Sequence, residues 1–122
     1  MAHDRYRVRI PLEVKQSLRK IGRRYGKKTY QVLRDLICDL AFEPHKKGDP
    51  LRGPLLGLHS RHYSRFRIVY QLNRGEAVVL VVGTGFHESK SRDDIYKLLE
   101  RALESGKLVI QKESSPDSGN LR

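Results

Sequence analysis

The stretch SRFRIVYQLNRGEAVVLVVG, residues 64–83, decides the fold. In its first half Phe66, Ile68, Tyr70 and Leu72 alternate with Arg65, Arg67, Val69 and Gln71. That period of two predicts a strand over 64–72 with one apolar face. Asn73, Arg74 and Gly75 make a turn, so the next strand returns antiparallel. That strand, AVVLVVG, is a nearly continuous apolar run, as expected of a sheet centre. An irregular stretch, TGFHESK, is expected after it.

Upstream, Tyr6, Val8 and Ile10 alternate with Arg5, Arg7 and Arg9, which predicts another strand. Pro11 ends it and suits the start of a helix carrying Val14, Leu18, Ile21 and Tyr25, with Gly26 as its stop. Tyr30, Leu33, Leu36, Ile37, Leu40 and Ala41 mark a second amphipathic helix, with Thr29 as its expected N-cap and Pro44 closing it. The two read as a helical hairpin. Residues 44–57 are rich in Pro and Gly and read as loop, followed by a short strand around 55–62. Downstream, Ser91 and Asp94 resemble a capping box, and Ile95, Leu98, Leu99, Ala102 and Leu103 mark a last helix.

The order predicts an α+β domain: a small twisted, mainly antiparallel sheet with an N-terminal helical hairpin and a C-terminal helix. Helices are expected on one sheet face, with the other face open and carrying the basic side chains of residues 61–67. Residues 1–103 form the single domain. Residues 104–122 are an extension in which LVIQK adds a short strand or docks on a partner, and whose end is flexible.

The chain has 122 residues, 38% apolar and 32% charged, enough for one small core. No apolar run is long enough to span a membrane, and Cys38 alone excludes a disulfide scaffold. Cys38 is expected as a buried thiol. No secretory signal is visible, so a cytoplasmic protein with no membrane partner is expected. The net charge is +11 and unevenly spread. Residues 1–34 hold eleven Lys or Arg against two acids, and residues 50–75 hold five Arg and no acid. Such a field favours polyanions, above all nucleic acid, over a merely solvated basic surface.

In the acid-free block, Arg61, Arg65 and Arg67 are interleaved with His59, His62, Tyr63 and Phe66. RNA cleavage by its own 2′-hydroxyl needs a base, a cation at the phosphorane and an acid for the leaving oxygen. Arg61, His62, Arg65, Arg67, His87 and Tyr96 offer those groups without metal or cofactor. By spacing alone, Arg65 and Arg67 read as phosphate anchors or as solvated strand residues. His87 reads as a proton carrier or as a loop residue satisfying backbone groups, and Tyr96 as core or rim. His59 and His62, three apart on a strand, point to opposite faces and do not make half a metal site. Gly83-Thr84-Gly85 lacks the third glycine and the lysine of a phosphate loop.

The stretch GDPLRGPLLGLHSRHYSRFRIVYQLNRGEAVVLVVG, residues 48–83, resembles the core of the RelE/ParE toxin superfamily. A Pro- and Gly-containing loop precedes a strand, an aromatic-Arg-aliphatic-aliphatic-Tyr strand follows as Phe66-Arg67-Ile68-Val69-Tyr70, and the next strand ends in Val-Gly. The resemblance covers roughly residues 5–103. It implies a RelE-like, microbial-RNase-like fold and the toxin of a type II toxin–antitoxin module, held inactive by a cognate acidic antitoxin. In the RelE branch the toxin cuts mRNA on the ribosome, whereas ParE-like members poison DNA gyrase. The resemblance places Arg67 at the scissile phosphate, Tyr96 at the start of the last helix as a contributor, and His87 as acid or base. Arg61, His62 and Arg65 would bind the RNA backbone, and Arg19, Lys20, Arg23, Arg24, Lys27 and Lys28 of the hairpin would anchor ribosomal RNA. The chain departs from RelE where paired lysines would stand, at Leu58 and Ser60, and near Gly85 or Phe86, where RelE has an arginine. A gyrase inhibitor without catalysis and a non-catalytic RNA-binding module are the alternatives.

Overall fold

The structure, a computed structural model, describes residues 5–111. Strand β1 (Arg7–Arg9) leads into helix α1 (Leu12–Tyr25), which buries Val14, Leu18 and Ile21 along one stripe. Glu13 in its first turn and Arg23 and Arg24 in its last complement the helix dipole. Gly26 sits at φ +107, where a side chain is strained, and joins α1 to α2 (Lys27–Cys38) with no linker. Thr29 is therefore not the N-cap. It lies inside α2 with its hydroxyl on the Tyr25 carbonyl, because Gly26 both stops one helix and starts the next. Helix α2 buries Leu33 and Ile37, and a 3₁₀ turn over Asp39–Ala41 buries Leu40 and Ala41. Full burial of a leucine or isoleucine side chain stabilises by about 1.5–3 kcal/mol. Cys38, one residue past Ile37, is exposed rather than buried.

Pro44 does not close α2 but opens a short helix, α3 (Pro44–Lys47), a position that tolerates its missing N–H. Strand β2 (Asp49–Pro50) and a 3₁₀ turn over Gly53–Leu55 occupy what sequence reads as loop. Strands β3 (His59–Tyr63), β4 (Phe66–Asn73) and β5 (Val78–Phe86) then form the antiparallel heart of a five-stranded sheet in the order β1-β5-β4-β3-β2. Strand β1 joins it parallel to β5, Val8 beside Val79. Helix α4 (Ile95–Glu104) completes the fold. No helix among the described residues is long and apolar enough to cross a membrane.

Two features position the site. First, β5 is longer than expected and takes in Thr84, Gly85 and Phe86. A bulge opposite Val69 and Tyr70, which pair with Gly83 and Val81, inserts Val82 as an extra residue. This re-phases the strand. Val79 and Val81 face the α1–α2 hairpin before the bulge and Phe86 does so after it, while Gly83 and Gly85 face α4. Second, the far face of the sheet is not open. The hairpin covers one face, packing on Phe66, Ile68, Tyr70 and Leu72. Helix α4 and the 3₁₀ turn over Gly53–Leu55 cover part of the other, around Leu55, Leu58, Val69, Ile95 and Leu99. The reason is apolar content: Val69 is fully buried on the strand face it shares with Arg67, and it needs a cover.

After α4, residues 108–111 form no strand. They return across this second face, with Leu108 and Ile110 against its core and the Gln111 amide donating to the Gln71 side chain. The flexible end expected of the extension lies outside the described residues.

Candidate active site

Register decides which side chains share a face. His62 lies directly across from Arg67, and Arg67 across from Gly85. Ser60 lies across from Val69, and Val69 across from Gly83. These two rows form the floor beneath α4. A Cβ at Gly83 would stand 3.1 Å from Leu99 and 3.2 Å from Ile95, and one at Gly85 would stand 3.4 Å from Ile95. The two glycines thus let α4 approach the sheet. Gly83-Thr84-Gly85 is accordingly a strand segment under a helix, not a loop.

The helix start is held by Asp94. Ser91 does not cap it; Asp94 does, its Oδ2 accepting from the amides of Tyr96 and Lys97 at 3.0 and 3.2 Å. Its Oδ1 accepts the Glu88 amide at 2.6 Å and lies 2.6 Å from His87 Nδ1. The Asp94 side chain is only 3% exposed. Burial pushes its carboxyl up, but the Glu88 amide, His87 and the Lys97 amide outweigh that and hold it below the ordinary carboxylate value. His87 follows directly after β5, and its amide donates to the Arg65 carbonyl. Its ring meets the Tyr96 ring edge-on at 4.8 Å. The Tyr96 hydroxyl reaches the Ser60 hydroxyl at 2.7 Å. Histidine, tyrosine and strand floor are thus one connected unit.

Arg67 rises from the same floor. Its guanidinium donates to the Ser64 and Phe66 carbonyls at 2.9 Å each, and no carboxylate among the described residues pairs with it. Among the described residues its positive charge is left to meet a phosphate. His62 is exposed beside it. Arg65 sits in the turn between β3 and β4, near Glu88, with its guanidinium over the rings of Tyr25 and Phe86. Tyr25 in turn meets Phe66 edge-on. The end of α1 therefore adjoins the site through Arg65. Around that joint Arg19, Lys20, Arg23, Arg24, Lys27 and Lys28 are all exposed.

Arg61 is not brought to this group. It pairs across from Ile68 and so belongs to the hairpin face. There it donates to the Leu36 carbonyl and to Asp39, which also holds Lys47 at 2.7 Å. The Lys47 bond lowers the Asp39 carboxyl despite burial, with Arg61 adding to it. His59 likewise stacks on Tyr70, on the opposite face from His62. Among the described residues no three His, Cys, Asp or Glu side chains are grouped to hold a metal ion.

Sequence reasoning missed Ser60 and the reach of Asp94 back to His87. Asp94 carried a capping signal, but nothing in the spacing tied it to a histidine seven residues earlier.

No protein-family model matches the sequence, and no curated protein does. Solved structures do. The toxin–antitoxin complex RelBE2 from Mycobacterium tuberculosis is 24% identical over 68% of this chain and 92% of that one, with a TM-score of 0.59. A free-state mutant of the E. coli toxin RelE is 18% identical over 89% of this chain and 100% of that one, at 0.60. The archaeal RelE–RelB complex from Pyrococcus horikoshii is 22% identical over 70% and 98%, at 0.55. At these identities the likeness is one of architecture, and it agrees with the element order read from the sequence. The protein shares the α+β fold of these RelE structures.

Proposed function

We propose that this protein is the toxin of a type II toxin–antitoxin module and an endoribonuclease that cuts mRNA on the ribosome. The observation that carries the reading is the shared sheet face: Arg67, paired with no carboxylate among the described residues, with His87 just after β5 and Tyr96 in the first turn of the helix above it. In the reaction the 2′-oxygen attacks the adjacent phosphorus, the bond to the 5′-oxygen breaks, and a 2′,3′-cyclic phosphate and a 5′-hydroxyl result. Arg67 stabilises the extra negative charge of the phosphorane. His87 takes the proton of the 2′-hydroxyl or delivers one to the leaving oxygen. Tyr96, fixed by Ser60, orients the substrate or shares that proton transfer. His62 and Arg65 bind the RNA backbone, and the basic joint of the hairpin anchors ribosomal RNA. Protein groups supply base, cation and acid, so the reaction asks for no metal. The protein acts in the cytoplasm, where its substrate is, and an acidic antitoxin neutralises it.

The test is cleavage of a defined mRNA on stalled ribosomes, beside free RNA with and without EDTA. Arg67→Ala is expected to lower cleavage on the order of 10²- to 10³-fold with the fold intact. His87→Ala is expected to lose about 10²-fold or more. Wild-type cleavage by Arg67→Ala would remove the site. No cleavage by the wild type under any condition would move the reading to a gyrase inhibitor, seen as trapped gyrase–DNA complexes, or to RNA binding alone.

A further inference from the structure

The most heavily bonded side chain in this region is not one of the reacting groups. Asp94 takes four donors on one carboxylate, two at the start of α4, one from the Glu88 amide and one from His87. A helix cap needs only the first two. We propose that Asp94 is a positioning residue: it fixes the His87 ring with its proton on Nδ1, so that Nε2 is the atom that exchanges protons with RNA. The inference rests on the proposed cleavage for its purpose, but its structural half stands without it.

Donors and acceptors decide the tautomer. Asp94 is buried and ionised, so both oxygens accept only. Oδ1 is already oriented by the Glu88 amide, and at 2.6 Å His87 Nδ1 must bring the proton. A neutral imidazole carries one N–H, so its Nε2 keeps a free lone pair. Nε2 lies on the far side of the ring from Asp94. The ring cannot turn over without putting a carbon against the carboxylate. Contact with the Tyr96 ring further restricts it. Because Asp94 also clamps the first turn of α4, which carries Tyr96, one carboxylate sets the relative placement of both groups.

Two measurements test this. In the wild type, ¹⁵N NMR of the histidine rings at a pH where His87 is neutral is expected to find its proton on Nδ1; a dominant Nε2–H form overturns the proposal outright. Asp94→Ser keeps an oxygen able to cap α4 but too short to reach His87. It is expected to fold, to lose the Nδ1–H preference, and to drop kcat on the order of 10²-fold, the size of a general acid–base contribution, with KM for RNA little changed. Full kcat in Asp94→Ser, or an unchanged tautomer, overturns the proposal. If the wild type cuts no RNA, the proposed function fails. The tautomers of wild type and variant then decide the positioning alone.

Discussion

Tyr70 is fully buried in the hairpin-facing core, and its hydroxyl donates to the Pro44 carbonyl at 2.8 Å. Burial pushes its pKa up to about 12. The folded value lies above the unfolded one, so its contribution is complete below the unfolded pKa near 10.0 and is lost as pH rises through about 12. Stability to urea is therefore expected to fall across that alkaline window. Tyr70→Phe should cost about 1–3 kcal/mol at neutral pH, because it leaves the Pro44 carbonyl without its partner. The same variant should lack this alkaline loss; an unchanged alkaline profile would assign it to another group. At this scale the sequence was legible where chemistry is local. Arg67, His87 and Tyr96 stand out through the short motifs that resemble the RelE branch, since by spacing alone each also reads as an ordinary strand, loop or core residue. It was not legible where register decides. Arg61 and Arg67 belong to neighbouring strands, and only the pairing of Arg61 with Ile68 shows that they face opposite ways.

The two faces of the sheet also explain which elements sequence could foresee. Helix α1 and the strong pattern of β4 follow from periodicity, which survives any tertiary context. The bulge in β5 leaves no such mark, since its valines read the same on either phase, yet it turns Gly83 and Gly85 toward α4. The cover on the second face was missed because Val69 alone between Arg67 and Gln71 does not announce an apolar surface. Its partners, among them Ile95, Leu99 and Leu108, lie far along the chain. The intimacy of this packing can be measured. Gly83→Val would press against Leu99 and Ile95 and is expected to cost about 1–3 kcal/mol by overpacking. It should also depress cleavage more than binding, because Tyr96 and His87 ride on the displaced helix and its entry. Wild-type urea stability and cleavage in that variant would show that α4 does not sit as tightly as described.

Across the whole molecule the +11 charge is organised rather than diffuse. The exposed cations at the α1–α2 joint lead through Arg65 to the Arg67 face, while Arg61 and Lys47 are committed within the fold to Asp39. Binding to RNA should therefore weaken steeply with salt. Replacing Arg23 and Lys27 by Gln is expected to lower the slope of log K against log salt by about 0.7–0.9 for each phosphate no longer neutralised. Removing Arg61 should change it little; titration of RNA binding over a KCl series distinguishes the two, and a slope equally sensitive to Arg61 would redraw the track. The parallel pairing of β1 with β5 adds a temporal order. Val8 waits for Val79, so β1 has no strand partner until most of the chain exists. His87, Asp94 and Tyr96 are made later still. A nascent chain that stops before β5 has helices and the strands β2, β3 and β4, but neither the strand that ties β1 into the sheet nor the proposed reaction centre. Under the proposed activity, an interrupted copy is harmless to the ribosome that makes it, and only a finished one can turn on its maker.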